Sequence, residues 1–466
     1  MIMIKSLFIL VCAFACSLSG YGNRLTILIK MLPDQEEWFL LNAVRPFERL
    51  ANVTIYVDHF TDYTMLQDKL KANPSIDVIK VPMDFASTLA DEGLIAPISD
   101  IADPAALSRM RDDFILPPLA SRGKKLLYVP RKFETRIMVY RISKVAEAVA
   151  AYQAYKTGLD SLLRKFDNTG LPGNYALESD PNEWDYFDVL MAGYTWARTS
   201  PGPNPGKIGQ RGKNYPGTFL GIADRAFQFG ATRSDIPSVS SNAVTESFEW
   251  EHLFARLKVC NTRMYSEEWS GKELWMAFGD SSIYLSFLTQ LDCFFMLGTG
   301  ENGLKGYFHD DADIDFAIMP SAAPLGGRKE LLLNRNITTN GWFWGIGKEA
   351  KHKEEALKLI MFMTSQDKQK REFEAFGALP TRKALLAETD DRFYMKKWIN
   401  RMLQISARQI SINRLTLLPT LENMEELQNR YYAIIKELCF YPEKIKTIEN
   451  VDKIILRYET KKPRQY

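Results

Sequence analysis

Two aspartates in the first hundred residues stand where a short β-rich run gives way to a helix. Asp34 follows the run 25–30 (LTILIK), and Asp84 follows 76–81 (IDVIKV). A carboxylate offers about four lone-pair sites, so it can accept from two ligand hydroxyls together. At a helix start it can equally cap free N–H groups, and the sequence leaves both roles open for each aspartate. Flat aromatic faces are the second chemistry on offer. Trp342 and Trp344 lie in an apolar run punctuated by glycine, Gly341-Trp342-Phe343-Trp344-Gly345-Ile346-Gly347. A Trp on a cleft wall presents its ring to a ligand, whereas a Trp in a core needs a partner for its N–H. Residues 182–197 (NEWDYFDVLMAGYTWA) read as one helix carrying Trp184, Tyr186, Phe187, Tyr194 and Trp196. Such a density of rings either packs a core or lines a cleft.

Signatures of catalysis and of metal binding fail in turn. His59, His252, His309 and His352 are scattered, with no HExxH and no pair of Cys-x-x-Cys motifs, so no zinc site is expected. Gly298-x-Gly300-x-x-Gly303 matches a dinucleotide fingerprint, but Leu304-Lys305-Gly306-Tyr307 follows it where a helix should open. Asp311-x-Asp313-x-Asp315 has Phe316 and Ala322 where a calcium loop needs Gly and Glu. Ser121-x-x-Lys124 and Lys156-Thr157-Gly158 lie too close together for a penicillin-binding enzyme, and no Ser-Asp-Asn accompanies them. The reading is therefore of no catalytic residue, no cofactor and no metal. A glycoside hydrolase needs only two suitably spaced carboxylates, and that spacing is not written in a sequence.

The elements that would position these residues alternate. A helix is expected over 33–50, with Trp38, Leu41, Val44 and Phe47 at helical spacing, then a strand at 53–57 and a helix at 63–72 stopped by Asn73-Pro74. The third strand at 76–81 leads into a helix closed by Gly93. This order predicts a parallel, doubly wound sheet, in which ligands bind at the carboxyl ends of strands. Further on, 145–165, 242–260 and 270–278 read as helices. The stretch 166–240 is loop-rich, with Arg198, Lys207, Arg211 and Lys213 in a glycine-bearing segment, 198–218, expected to be a mobile flap. After the Trp342 strand, Leu357, Ile360, Met361 and Thr364 form one apolar helical face. Ser365 can cap a second helix, Gly377 can end it, and Pro380 prevents its restart. Residues 384–466 read as helices with a charged tail.

A chain of 466 residues favours two lobes over one core. A net charge of +2 gives no electrostatic case for nucleic acid. Residues 1–22 read as a signal segment: Lys5 precedes an apolar run, 6–15, that is too short to span a membrane. Cys16 is a candidate for lipidation, with plain cleavage near Gly20 as the alternative. Either way export is expected. Three cysteines remain, Cys260, Cys293 and Cys439. They allow one disulfide and a spare thiol, or three buried thiols.

Several stretches together resemble family 1 of the extracellular solute-binding proteins, the sugar-capturing subunits of bacterial ABC importers. They are the Gly341-Trp342 strand, the Ala-Leu-Lys-Leu-Ile-Met-Phe-Met run at 356–363 and Gly377-Ala378-Leu379-Pro380-Thr381-Arg382. To these are added Gly123-Lys124-Lys125-Leu126-Leu127-Tyr128-Val129-Pro130, DFAIMP at 315–320 and Pro324-Leu325-Gly326-Gly327. The resemblance implies a class II periplasmic-binding-protein-like α/β fold of two lobes. Each lobe would be a mostly parallel sheet flanked by helices, with a C-terminal helical extension. Lobe 1 would comprise 23–133 and 343–392, and lobe 2 would comprise 137–340 and 393–466, with crossovers near 132–137, 337–343 and 390–400.

It further implies an exported, monomeric binding protein, periplasmic or lipid-anchored, that captures a carbohydrate such as an oligosaccharide between its lobes and delivers it to an ABC permease. Family members carry a sugar-binding carboxylate four residues after the Pro of the Gly-Lys-Leu-Tyr-x-x-Pro segment, and Glu134 stands there. Phe278-Gly279-Asp280-Ser281-Ser282 occupies the place of a ligand-facing loop, although Ile283-Tyr284 replaces the family's Ala-Met. The expected ligand set is Glu134, Asp84 and Trp342, with Asp34, Asp280, Ser281, Trp184 and Arg131 as further candidates. Arg131, Lys132 and Arg136 around Glu134 either form surface pairs or favour an acidic sugar. The competing readings are an exported glycoside hydrolase and a sensor or surface-binding protein with a degenerate cleft.

Overall fold

Three runs of aliphatic and β-branched residues, Arg24–Ile29, Thr54–His59 and Val78–Pro82, become neighbouring strands, with Arg24–Ile29 parallel to both of the others. The computed structural model describes residues 24–200, 202–298, 305–328, 334–414, 416 and 424–459. The expected signal segment with Cys16, most of the glycine-rich run at 298–303 and the charged tail lie outside the described residues. The chain divides into two compact units. One takes residues up to Phe133 together with Gly341–Glu372 and Pro380–Leu385; the other takes Glu134–Asn340, Phe373–Leu379 and the chain from Leu386.

In the first unit Val78, Ile79 and Val81 are fully buried, the continuous apolar run of a strand covered on both faces. Asn340–Gly347 joins on the other side of Val78–Pro82 and runs antiparallel to it, with Trp342 opposite Pro82 and Ile346 opposite Val78. It is also antiparallel to Ile95–Ala96. Four of these strands run in one direction, as a mostly parallel sheet requires, and Asn340–Gly347 opposes them. Strands made by strand–helix–strand crossovers are parallel, but this one brings the chain back from the second unit and enters in the opposite sense. Gly341 has a φ of +148°, and a Cβ there would lie 2.1 Å from the Lys132 carbonyl oxygen. Only glycine lets this strand pass so close to Val129–Glu134, which pairs with it.

The single helix expected over 33–50 is three pieces in line: Pro33–Phe39, a π turn Leu40–Val44, and Arg45–Ala51. Pro46 supplies the reason, because it lacks an N–H and crowds the preceding turn. Asp62 caps Tyr63–Ala72 by accepting from Met65 N–H at 2.8 Å. Lys353–Met363 and Gln366–Phe376 form as expected, and Gly377 ends the second of them at a φ of +66°.

The second unit has a sheet ordered Ile314–Ala317, Arg136–Arg141, Leu285–Thr289, Ile208–Gly209. Arg136–Arg141, the strand that carries the chain in, is antiparallel to both neighbours, and only Ile208–Gly209 pairs parallel. Its other three strands run in one direction, with Arg136–Arg141 opposing them. Helices Pro216–Gln228, Asn242–Arg256, Met424–Cys439 and Ile448–Leu456 pack together beside it. Lys397–Asn413, Met424–Cys439 and Ile448–Leu456 supply the C-terminal helical extension. The aromatic helix begins at Tyr186 rather than 182, because Asp185 caps it in a reciprocal pairing with Asp188. The expected flap at 198–218 is held down in its described part. Ile208–Gly209 lies in the sheet, and a Cβ on Gly206 or Gly212 would strike the backbone of Cys260 or Met264. Cys260, Cys293 and Cys439 are three buried free thiols. Among the described residues no helix is long and apolar enough to cross a membrane, and no cluster suits a metal ion.

Candidate ligand-binding site

The parallel strands of the first unit point their carboxyl ends at one edge of the sheet, and the antiparallel register delivers Trp342 to the same edge. Asp84 sits there in a short turn, Met83–Phe85, just past Pro82. Tyr63, the first residue of its helix, donates its hydroxyl to Asp84, at 3.0 and 2.8 Å from the two carboxylate oxygens. The Tyr63 ring stacks on Phe85 with centroids 4.8 Å apart. Asp34 is exposed in the first turn of Pro33–Phe39, after Arg24–Ile29. Three of the expected residues, Asp34, Asp84 and Trp342, therefore share the carboxyl edge that the alternation predicts.

Trp342 is half-buried, and one face of its ring is already taken. Lys80 Nζ lies 4.0 Å from the ring centroid. Lys80 is only 2% exposed, and its ammonium also donates to the Lys30 carbonyl, while Lys30 donates to the Thr61 carbonyl. An ammonium this buried is tolerable only with such partners. Trp344, two residues on, is core, stacked on Phe39 at 5.9 Å. Neither Tyr63 nor Lys80 was expected; a tyrosine at a helix start and a lysine in a strand carry no signal until register is known.

Other candidates are placed elsewhere. Trp184 is completely buried and donates its indole N–H to the Glu178 carbonyl at 2.7 Å. Its ring is inaccessible, so it is a core residue, as are Tyr186, Phe187, Tyr194 and Trp196. Arg131 is 5% exposed, pairs with Glu372 and lies 5.7 Å from the Trp344 centroid. It supports the first unit internally instead of facing a solute. Glu134 is half-buried at the end of Val129–Glu134.

In the second unit Thr289 pairs with Arg136, and Leu285 with Tyr140. Asp280 and Ser281 precede Leu285, so they lie toward the opposite end of that strand from Arg136, an end about 14 Å away along it. Asp280 is exposed and accepts from Ser282 N–H at 2.8 Å; Ser281 Oγ accepts from Arg141 at 2.6 Å. They are not brought to the end where the chain enters.

That entry end is built differently. A cavity of about 30 Å³, room for one or two waters, is lined by Arg136, Arg211, Asp224, Ile222, Phe287 and Met319 among others. Arg136 pairs with Asp224, and Asp224 also accepts from Thr338 N–H at 2.9 Å and Thr338 Oγ at 2.6 Å. Asn413 donates to Thr135 Oγ at 2.9 Å and Thr339 Oγ at 3.1 Å. The chain at Thr135–Arg136 and at Thr338–Thr339 is thus pinned inside this unit. Arg211 donates to both oxygens of Asp292, at 2.6 and 2.5 Å. Burial alone would raise the Asp292 carboxyl, but Arg211 and the Thr289 hydrogen bonds outweigh it and hold it below the usual range. Trp275 Nε1 donates to Asp292 at 3.2 Å, and the Trp275 ring stacks on Phe295 at 4.8 Å.

Solved structures with this fold include the maltose-bound MalE3 of T. maritima, at 16% identity over 94% of this chain and 98% of that chain, with a TM-score of 0.62. The sugar-binding protein MalE of the phytopathogen Xanthomonas citri matches at 15% identity over 93% and 98%, with a TM-score of 0.63. The GacH receptor of Streptomyces glaucescens matches at 12% identity over 94% and 98%, with a TM-score of 0.60. Identities this low establish the fold alone: a two-lobe, periplasmic-binding-protein-like α/β fold. No curated protein matches by sequence. The family model for bacterial extracellular solute-binding proteins matches residues 42–400. The chain belongs to that family, a family of binding proteins rather than of enzymes.

Proposed function

We propose that this protein captures a carbohydrate, preferably an oligosaccharide, between its two lobes and passes it unaltered to the permease subunits of an ABC importer. The observation that carries the reading is the half-exposed Trp342 ring at the carboxyl edge of the first unit's sheet, on the same edge as Asp84. A ring face suits the apolar face of a pyranose, and a carboxylate accepts from its hydroxyls. Sugars are also the ligands of several proteins that share the fold, among them a maltose-bound protein and a chitin oligosaccharide binding protein. On this reading Glu134, Asp84 and Trp342 contact the sugar, Asp34 is a weaker contact, and Lys80 backs the stacking ring. The protein would act outside the cytoplasm as a monomer, periplasmic or held to the envelope by lipid on Cys16.

The test is a thermal-shift screen of the purified protein against mono- and oligosaccharides, sugar acids and glycerol phosphates. A ligand at 100 times its dissociation constant should add about 2.7 kcal/mol of stability. A shift with an oligosaccharide supports the reading; a response confined to non-carbohydrate solutes overturns it.

A further inference from the structure

The helix Asn242–Arg256 ends on a cation, and the chain turns back through Lys258 in a left-handed conformation at a φ of +55°. A depression of about 260 Å³ opens at this turn, walled by Arg256, Lys258, Thr262, Ser266, Phe440 and Glu443, among others. It lies wholly within the second unit.

The cations here, like Arg198 and Arg335, which donate to carbonyls, differ from the ion-paired arginines of the unit. Arg136, Arg211, Arg225 and Arg328 each meet a carboxylate. Among the described residues no carboxylate pairs with Arg256 or with Lys258. The Arg256 guanidinium donates to the Ile445 carbonyl and lies 5.7 Å from the Phe166 ring centroid. Burial with no anion to offset it holds this guanidinium below the ordinary arginine range. A cation in the last turn of a helix suits the helix's negative end, but that accounts for neither the depression, nor Lys258, nor the Thr262 hydroxyl; the Ser266 hydroxyl donates to the Arg263 carbonyl at 3.4 Å. Glu443, exposed on the rim, leaves Arg256, Lys258 and Glu443 together at a net charge of +1.

We propose that this depression is a second binding site, separate from the carbohydrate edge, that takes a phosphoryl group through Arg256, Lys258 and the hydroxyls of Thr262 and Ser266. A planar guanidinium, a mobile ammonium and neutral hydroxyl donors are the set that recognises a tetrahedral oxyanion, and the space holds one. Free phosphate, a phosphate monoester and a phospholipid headgroup share this chemistry.

The experiment compares thermal unfolding of the purified protein in sodium phosphate and in sodium chloride at equal ionic strength, with glycerol 3-phosphate as a second arm. A third arm measures sedimentation with phosphatidylcholine vesicles with and without phosphatidylglycerol. The site predicts a phosphate-specific or phosphatidylglycerol-specific response in the wild type. It also predicts about tenfold weaker phosphate affinity in Arg256→Gln and in Lys258→Gln. The arm that responds identifies the source of the phosphoryl group. Lys258 is exposed, so Lys258→Gln carries the test alone if Arg256→Gln fails to fold. A wild type indifferent in all three arms, or variants that respond as the wild type does, overturns the proposal.

Discussion

Lys80 Nζ lies 4.0 Å from the centre of the Trp342 ring, a buried ammonium against one face of a half-exposed indole. The contact covers one face of the ring, and on the proposed reading the other face meets the sugar. Trp342→Ala should therefore weaken carbohydrate binding by roughly 1–3 kcal/mol while costing little folding stability. Lys80→Met should weaken it less, since the ring remains but loses its backing. Trp344→Ala should do the reverse, destabilising the fold by about 3–5 kcal/mol because that ring is core. Calorimetric titration and urea unfolding of the three variants separate these roles.

Gly341 tests the close approach of two strands. The Lys132 carbonyl oxygen stands 2.1 Å from where an alanine Cβ would be, and the φ of +148° is itself unfavourable for any other residue. Gly341→Ala should cost at least about 2 kcal/mol, read as a lower urea midpoint. An unchanged midpoint would show that the strands can part.

Trp184 offers a similar contrast. With no exposure and a hydrogen bond to the Glu178 carbonyl, Trp184→Ala should lose about 3–5 kcal/mol of stability. If the variant folds, its carbohydrate affinity should stay within about twofold of the wild type. A large loss of affinity at unchanged stability would return Trp184 to the ligand site.

Asp188 provides a pH signature. Burial first, and the neighbouring charge of Asp185 second, push its carboxyl up from an ordinary 3.8 to about 6. The folded state then holds a proton that the unfolded state has released. This group's contribution to stability falls as pH rises from about 4 to 6 and is constant above that. A shift of about two units corresponds to about 3 kcal/mol. Stability of Asp188→Asn relative to the wild type should therefore rise by about that amount between pH 4 and pH 7. A difference that does not vary with pH would contradict the raised value.

These tests also mark what could be read in the residues. Val78–Pro82, the caps of the helices around Ser365 and Gly377, and the place of Asp84 past a strand end follow from local chemistry, and local chemistry is what a sequence displays. The direction of Asn340–Gly347 was not legible, because it depends on which unit the chain returns from. Lys80 was hidden because a lysine in a strand reads as a solvated residue, and only the register with Trp342 makes it part of the site. Trp184 could not be told from a cleft residue, since the helix that follows it is buried over most of its circumference. The pairing of Arg211 with Asp292 joins residues 81 apart in the chain, beyond the reach of any spacing rule.

The most direct test of the central claim is equilibrium titration of the best-shifting oligosaccharide into wild type, Trp342→Ala and Glu134→Ala, followed by chromatography of the recovered sugar. The account predicts one bound sugar per chain, recovered uncleaved, with affinity reduced roughly 5- to 150-fold in each variant, the equivalent of about 1–3 kcal/mol. Wild-type affinity in both variants would put the ligand elsewhere, and a cleaved sugar would make the protein an enzyme.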